Sequence, residues 1–224
     1  MLWLCLHFSN LPLEIFTRSN LKDSVNAQAV IENNVVVCSN TPAQQEGVTS
    51  GLKLNKANSL CDDLVLHTRK SHLEAAALEE LAQLIYDVSP TVNRFNDHAL
   101  MIEIGSVIRL FGSVDNVIAH LIANLNDRGF SPNYGLANTP KAAYVFAKYF
   151  TNQKPYFDEE IQRIKHSSFR SLLAELPLSL LPDAQQYNFE QLGLHTVGDI
   201  MALPISAIGK RFGAGFLKYL GQLH

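Results

Sequence analysis

The spacing of hydrophobic residues along the chain predicts strands that alternate with amphipathic helices. Residues 1–8 (MLWLCLHF) are apolar almost throughout, which is typical of a central strand. Residues 71–88 carry apolar side chains every three or four positions, which predicts a helix. The expected buried face of this helix consists of Leu73, Ala77, Leu81, Leu84 and Ile85.

The rest of the pattern predicts a mixed α+β domain. A hairpin at 29–38 turns at Asn33 and Asn34, since asparagine tolerates a positive φ. Further along we expect strands at 91–95, 99–104 and 133–137, helices at 114–128 and 140–150, a polar connector at 151–166, and then helices alone. Strand, helix, two strands, helix and strand is the βαββαβ order of a ferredoxin-like fold.

The composition favours a folded intracellular protein. The 224 residues are 47% hydrophobic and 17% charged, which suits one large domain or two small ones. Because the net charge is −3, any contact with nucleic acid must come from a local patch. Three cysteines without CxxC spacing indicate reduced thiols, and no apolar run is long enough to span a membrane, so we expect a cytoplasmic location.

Several stretches resemble motifs of the Y-family DNA polymerases. Residues 97–106 (DHALMIEIGS) are similar to the family's Asp-Glu-Ala-Tyr-Leu-Asp-Val-Thr-Gly, and residues 4–14 to its Val-Asp-Met-Asp-Ala-Phe-Phe-Ala-Ser-Val-Glu. Residues 43–52 (AQQEGVTSGL) resemble its fingers segment and residues 133–147 (NYGLANTPKAAYVFA) its Val-Gly-Ile-Ala-Pro-Asn-Lys motif. The order and spacing of these motifs make the resemblance fairly specific over nearly the whole chain.

The resemblance implies the domain organisation of that family. Residues 1–19 and 67–165 would form a ferredoxin-like palm, and residues 20–66 an inserted fingers lobe. Residues 166–224 would form a helical thumb that contains a helix-hairpin-helix, and we expect this thumb to be truncated at residue 224.

The resemblance also implies that the metal-binding chemistry is missing. Two-metal phosphoryl transfer needs closely spaced carboxylates, since Mg²⁺ prefers hard oxygen ligands. Cys5 and His7 take the place of the two aspartates on the family's first strand. His98 and Ala99 take the place of its acidic pair, and a shift by one residue would bring in Asp97 but no second acid.

Two other uses of these positions stay open. Cys5, His7 and His98, with Glu103 as a possible fourth ligand, are residue types that bind zinc. Glu103 is the acid left on the central strand and could serve as a residual metal ligand. The structural alternative is a buried thiol, hydrogen-bonded imidazoles and a carboxylate that accepts hydrogen bonds within the fold.

The resemblance implies that the nucleotide-binding residues are replaced as well. Asn10 stands where the family has the aromatic residue that excludes ribonucleotides. Thr41 and Gln44 stand where its Tyr and Arg hold the triphosphate, and the loss of a guanidinium fork removes a strong phosphate ligand. Pro140 replaces the phosphate-contacting lysine, with Lys141 one residue out of register. We therefore expect no catalytic residue, no metal and no cofactor.

The predicted thumb carries the candidate DNA contact. Residues 189–200 (FEQLGLHTVGDI) are similar to a helix-hairpin-helix, in which backbone N–H groups of the hairpin meet a DNA phosphate. The predicted contact residues are Gly193, Thr196, Gly198, Lys210 and Arg211, with Lys218 nearby. The alternative is an ordinary turn between two helices, with Thr196 as its cap.

These replacements, together with Arg-Leu-Phe-Gly at 109–112, resemble the inactive Y-family-like proteins of bacterial mutagenesis cassettes. The resemblance implies a non-catalytic adaptor in SOS-induced DNA repair, translesion synthesis and mutagenesis. Its partners would be an error-prone replicative-type DNA polymerase, an ImuA-like RecA homologue and the sliding clamp, with weak non-specific DNA binding. The alternatives are a divergent active translesion DNA polymerase and a DNA-binding module without polymerase partners.

Overall fold

The structure, a computed structural model, describes residues 1–18, 26–149, 166–181 and 186–223. Its strands are β1 (Trp3–His7), β2 (Gln28–Glu32), β3 (Val35–Ser39), β4 (Val65–Thr68), β5 (Val92–Asn96), β6 (Ala99–Glu103) and β7 (Asn133–Ala137). Its α-helices are α1 (Leu11–Thr17), α2 (Thr41–Gln45), α3 (Leu54–Leu60), α4 (Ser71–Tyr86), α5 (Ile108–Phe111), α6 (Val114–Asn126), α7 (Pro140–Tyr149), α8 (His166–Glu175), α9 (Val197–Met201) and α10 (Ile205–Gly221). Apart from residue 166, the predicted connector at 151–166 lies outside the described residues.

Strands β5, β6, β1 and β7 form a four-stranded sheet in that order. When β1, β5, β6 and β7 are numbered 1 to 4 along the chain, their order in the sheet is 2-3-1-4. This is the strand order of a ferredoxin-like sheet. Strand β1 is antiparallel to β7, and Cys5 lies opposite Gly135. The predicted α+β class and its ferredoxin-like sheet are therefore confirmed.

The chain divides into two compact units, of which the first comprises residues 1–7, 101–106 and 133–224 and the second residues 8–100 and 107–132. These units do not coincide with the predicted palm, fingers and thumb, so those limits stay a prediction. Within the described ranges, no helix is long and apolar enough to cross a membrane.

In the first unit, a glycine lets helix α7 lie directly against strand β7. A Cβ atom added to Gly135 would overlap the α7 backbone at Ala143 and Ala147. Both alanines are buried, so small side chains on this helix face match the missing side chain on the strand. The close approach requires glycine for its size, since the backbone at Gly135 is not in the left-handed region.

The second unit contains a three-stranded sheet in the order β3-β2-β4. The turn between β2 and β3 places Asn33 and Asn34 at φ angles of 50° and 62°, as the predicted hairpin requires. Small apolar side chains fill its core: Ala29, Val36, Ala43, Val48 and Ala57. Strand β4 is parallel to β2 and extends to Thr68, so this sheet runs two residues past the predicted fingers limit at 66.

The predicted buried face of α4 is wrong in its first turn, where an ion-pair network decides which residue is buried. Leu73 was expected to be buried and is exposed, whereas Glu74 is buried. Arg69 donates from Nε and Nη2 to the two carboxylate oxygens of Glu74, each at 2.9 Å, and from Nη1 to Glu32 at 3.1 Å. The buried face of α4 is therefore shifted by one residue at its start, because a bidentate partner satisfies the Glu74 charge.

Replacing Gly135 by alanine should destabilise the fold. The added Cβ overlaps helix backbone that has no flexible side chain to give way, and overpacking of this kind typically costs about 1–3 kcal/mol. Urea unfolding followed by circular dichroism measures the loss. As a matched control, Gly221→Ala adds the same group to a helix position with open space around it and should be neutral or slightly stabilising. Equal effects of the two substitutions would contradict the close approach of α7.

Candidate functional site

Cys5, the first vestigial metal position, lies in the middle of β1 and is fully buried. Directly opposite residues of an antiparallel pair point to the same face, so Cys5 shares with Gly135 the face that α7 covers. Burial raises the pKa of the Cys5 thiol far above its usual range, so the thiol stays protonated near neutral pH. In this environment Cys5 is a buried, neutral side chain of the sheet core.

Glu103, the remaining acid, is held by the backbone around it. Its Oε1 accepts hydrogen bonds from the N–H groups of Leu2 at 3.3 Å and Gly105 at 3.0 Å, and its Oε2 accepts from Ser106 at 3.2 Å. Burial acts to raise the pKa of this carboxyl, but the hydrogen bonds from Ser106, Leu2 and Gly105 outweigh it and the net pKa is lowered. A Cβ at Gly105 would lie 2.7 Å from Oε1, so glycine is needed beside the carboxylate.

His98 and Asp97 lie in the turn between β5 and β6. The His98 N–H donates to Asn96 Oδ1 at 2.9 Å, and the His98 carbonyl accepts from the Phe8 N–H at 2.8 Å. The Asp97 carboxylate is exposed and forms an ion pair with Arg94. Ala99 follows as a buried position of β6. Neither sequence register therefore presents a pair of carboxylates.

The vestigial positions do not assemble a metal site. The His7 ring packs edge-to-face against Tyr144 of α7, with ring centroids 5.8 Å apart. In the part of the chain that the structure describes, no group of three or more His, Cys, Asp or Glu side chains is placed to hold a metal ion. These residues fit neither the pair of Mg²⁺ ions that polymerase chemistry uses nor the zinc alternative.

The vestigial nucleotide positions of the second unit have local structural contacts. The Asn10 carbonyl accepts the Glu14 N–H at 2.9 Å, which starts helix α1. Thr41 is the exposed first residue of α2. Gln44 donates from Nε2 to the Ser39 carbonyl at 2.7 Å, so its amide braces the end of β3.

The lysine beside Pro140 is turned toward an aromatic ring. Pro140 is the first residue of α7, and the Nζ of Lys141 lies 4.7 Å from the centroid of the Tyr219 ring. Burial, with a smaller contribution from Tyr144, raises the pKa of Tyr219 to about 12. Lys141 therefore faces a neutral phenol in a cation–π contact.

The predicted hairpin at 189–200 is shorter than expected. Its first helix is a 3₁₀ turn (Phe189–Leu192), Gly193 follows with φ 67°, and α9 has five residues. Thr196 and Asp199 form a capping box, in which the Thr196 side chain accepts from the Asp199 N–H and the Asp199 carboxylate accepts from the Thr196 N–H. The turn is thus a well-capped connection between helical segments.

Most N–H groups of this turn already have acceptors. The His195 N–H donates to Asp199 at 2.9 Å, and the Val197 N–H donates to the Leu176 carbonyl at 2.9 Å. A Cβ at Gly198 would lie 2.9 Å from the Ala174 carbonyl oxygen, so Gly198 permits close packing of α9 against α8. These contacts give the hairpin a structural role, and its binding of DNA stays a prediction.

A second glycine turn, which the sequence analysis missed, lies inside α10. Gly213 adopts φ 86° and ψ 164° and separates two helical segments. Lys210, Arg211 and Lys218 are exposed around it. The Gly-Ala-Gly at 213–215, within an otherwise amphipathic helix, was the available signal.

Residues 15–148 match the impB/mucB/samB family, which is more than half of the chain. The chain belongs to the impB/mucB/samB family. The sequence resemblance to Y-family polymerases is thereby confirmed.

Relatives of this impB/mucB/samB protein include an ImuB protein and DNA polymerases. It is 29% identical to Protein ImuB of Caulobacter vibrioides over 178 residues, which cover 79% of this chain and 37% of ImuB. It is 24% identical to DNA polymerase IV of Dehalococcoides mccartyi over 192 residues, which cover 84% of this chain and 47% of that polymerase. The chain thus spans less than half the length of these relatives.

Solved structures agree on the fold. All of this chain superposes on a Dbh ternary complex with a TM-score of 0.77 and 16% identity, covering 66% of that chain. DinB from Sulfolobus solfataricus gives a TM-score of 0.72 at the same identity and coverage. The predicted Y-family polymerase-like architecture is confirmed for this impB/mucB/samB protein.

Replacing Glu103 by glutamine should destabilise the protein near neutral pH. An amide cannot accept all the backbone hydrogen bonds that the carboxylate accepts, which costs about 1–3 kcal/mol. Because the folded-state pKa of Glu103 is lowered, its stabilisation is present above the ordinary carboxyl pKa of 4.5 and is lost as the pH falls through the lower folded value. The stability difference between the two proteins should therefore shrink in acid.

Glu14→Gln is the matched control, and its effect on stability should depend on pH in the opposite direction. Glu14 is buried in α1, and its Oε1 accepts the Ser131 N–H at 2.9 Å. In the described part of the chain, the buried Oε2 has no hydrogen-bond partner. Burial raises its pKa, so the ionised form destabilises the fold at neutral pH and the penalty disappears in acid. Unfolding free energies of the three proteins from pH 7 to pH 3 measure both trends. Parallel pH profiles for the two variants would contradict these assignments.

Proposed function

We propose that this protein is a non-catalytic, ImuB-like member of its family that acts as an adaptor in translesion DNA synthesis and induced mutagenesis. The observation that carries the proposal is the structural role of two residues, Cys5 and Glu103, at candidate metal-binding positions. Cys5 is a buried neutral thiol, and both oxygens of Glu103 accept backbone hydrogen bonds. A carboxylate already occupied in this way has little capacity left for a metal, since binding would break those bonds.

The proposal includes the partners that an ImuB-like role implies. These are an error-prone replicative-type DNA polymerase, an ImuA-like RecA homologue and the sliding clamp, brought together at damaged DNA in the cytoplasm. The 29% identity to Protein ImuB supports this choice. The aligned residues cover 37% of that relative.

The proposal also includes weak, non-specific DNA binding by the helical segment. Exposed Lys210 and Arg211, next to the turn at Gly213, provide positive charge at the start of a helical segment. Such contacts neutralise phosphates without reading bases, so the binding should be weak and strongly dependent on salt.

A divergent active polymerase is the second candidate, favoured by the identity to DNA polymerase IV. Activity would require carboxylates other than those at the expected positions. The described residues provide no three-membered cluster of His, Cys, Asp or Glu for a metal, which weighs against this candidate.

Primer extension past an abasic site tests the adaptor directly. We expect no extension by the chain alone with Mg²⁺ or Mn²⁺, and increased bypass when it is added to an error-prone replicative-type polymerase with which it co-purifies. A DNA polymerase IV truncated to the residues that align with this chain is the control, because it shows whether truncation alone removes activity. Extension by the chain alone would overturn the non-catalytic assignment, whereas failure to bind or stimulate the partner polymerase would overturn the adaptor role.

A further inference from the structure

A cleft of about 480 Å³ lies between the start of α7 and the last turns of α10. Its lining combines two lysines with aromatic rings: Lys141, Lys218, Tyr187, Phe216 and Tyr219. Gln222 adds an amide at the same cleft. All of these residues belong to the first compact unit. None of the positions Cys5, His7, His98, Ala99 and Glu103 lines the cleft.

The two lysines give the cleft positive charge. Lys218 is exposed and Lys141 is half-buried over the Tyr219 ring. Among the described residues, neither lysine forms a salt bridge. Two ammonium groups on one cleft favour an anionic ligand.

The aromatic walls of the cleft are held in place by their neighbours. The centroid of the Tyr187 ring lies 5.0 Å from that of Phe216, 5.7 Å from that of Phe212 and 5.4 Å from that of Phe189. The three phenylalanines also contact one another and are buried. A ring fixed by such a cluster loses little conformational entropy when a planar ligand stacks on it.

We propose that this cleft binds one nucleotide unit of single-stranded DNA, with the base against Tyr187 and the phosphate between Lys141 and Lys218. The volume lies within the range of small-ligand sites, and aromatic faces flanked by cations are the recognition pattern for single strands. A base of an intact duplex is stacked and paired, so only an unpaired nucleotide can enter. The inference deepens the DNA contact proposed above and rests on it for the identity of the polymer.

The test is the binding of a ten-nucleotide oligothymidylate that carries one 2-aminopurine, whose fluorescence falls when the base stacks. The double variant Lys141→Ala/Lys218→Ala should weaken binding and reduce the slope of log affinity against log salt by about 0.7, since the one phosphate held between the two lysines contributes about 0.7 on a single strand. Tyr187→Leu, which retains an apolar side chain in the cluster, should weaken binding roughly 5- to 100-fold and remove the quenching.

Lys53→Ala/Lys56→Ala is the matched charge control. It removes two exposed cations at the start of α3, outside the cleft lining and outside the proposed DNA contact, and should leave the affinity and the 2-aminopurine quenching unchanged. Lys210→Ala/Arg211→Ala removes the cations of the proposed DNA contact and should weaken binding while the quenching at saturation remains. If only this second variant weakens binding, and Lys141→Ala/Lys218→Ala and Tyr187→Leu bind like the wild type, the cleft proposal is overturned and the DNA contact at Gly213 stands. If no variant or wild-type protein binds the oligonucleotide at low salt, the cleft and the proposed DNA contact both fail.

Competition with thymidine 5′-monophosphate tests whether the cleft binds a free nucleotide or a nucleotide within single-stranded DNA. Displacement of the oligonucleotide by the mononucleotide, lost in Lys141→Ala/Lys218→Ala, supports the cleft with a free nucleotide as an occupant. Oligonucleotide binding that the mononucleotide does not displace, and that the same variant weakens, supports the polymer. Circular dichroism of each variant confirms that lost binding does not come from unfolding.

Discussion

The close approach of helix α7 to strand β7 is the constraint on which the first unit depends. It requires the absence of a side chain at Gly135, and it covers the sheet face that carries Cys5. Burial of an ionised side chain at the Cys5 position would carry a desolvation cost that a neutral thiol avoids. The neutral thiol under α7 is therefore compatible with the close packing of this sheet face.

Other positions that align with the family's site motifs make structural contacts of the same kind. Glu103 accepts hydrogen bonds from the backbone of its own strand end and of Leu2, and Gln44 donates to the end of β3. Lys141 faces the Tyr219 ring. Each contact is local and modest, but together they give the residues at these positions a role in the fold. These contacts support the proposed ImuB-like adaptor, whose DNA contacts we place on the helical segment.

The sequence predicted the sheet and the helices well, because two- and 3.6-residue periods and turn residues such as Asn33 and Asn34 act locally. It failed where a tertiary partner decides the outcome. Leu73 is exposed and Glu74 is buried, because Arg69 pairs with the Glu74 carboxylate. The cleft of Lys141 and Tyr187 unites residues far apart in the chain, so no spacing rule could have found it.

The most direct test of the central claim, that the polymerase scaffold has lost its metal and nucleotide chemistry, is a thermal shift. The protein is heated with millimolar Mg²⁺ or Mn²⁺ and deoxynucleoside triphosphates. A ligand at one hundred times its dissociation constant stabilises a fold by about 2.7 kcal/mol, which would raise the melting temperature of a chain this size by several degrees. Our account predicts no metal-dependent shift. A reproducible shift that requires the metal and disappears in Glu103→Ala would contradict it and restore the active polymerase.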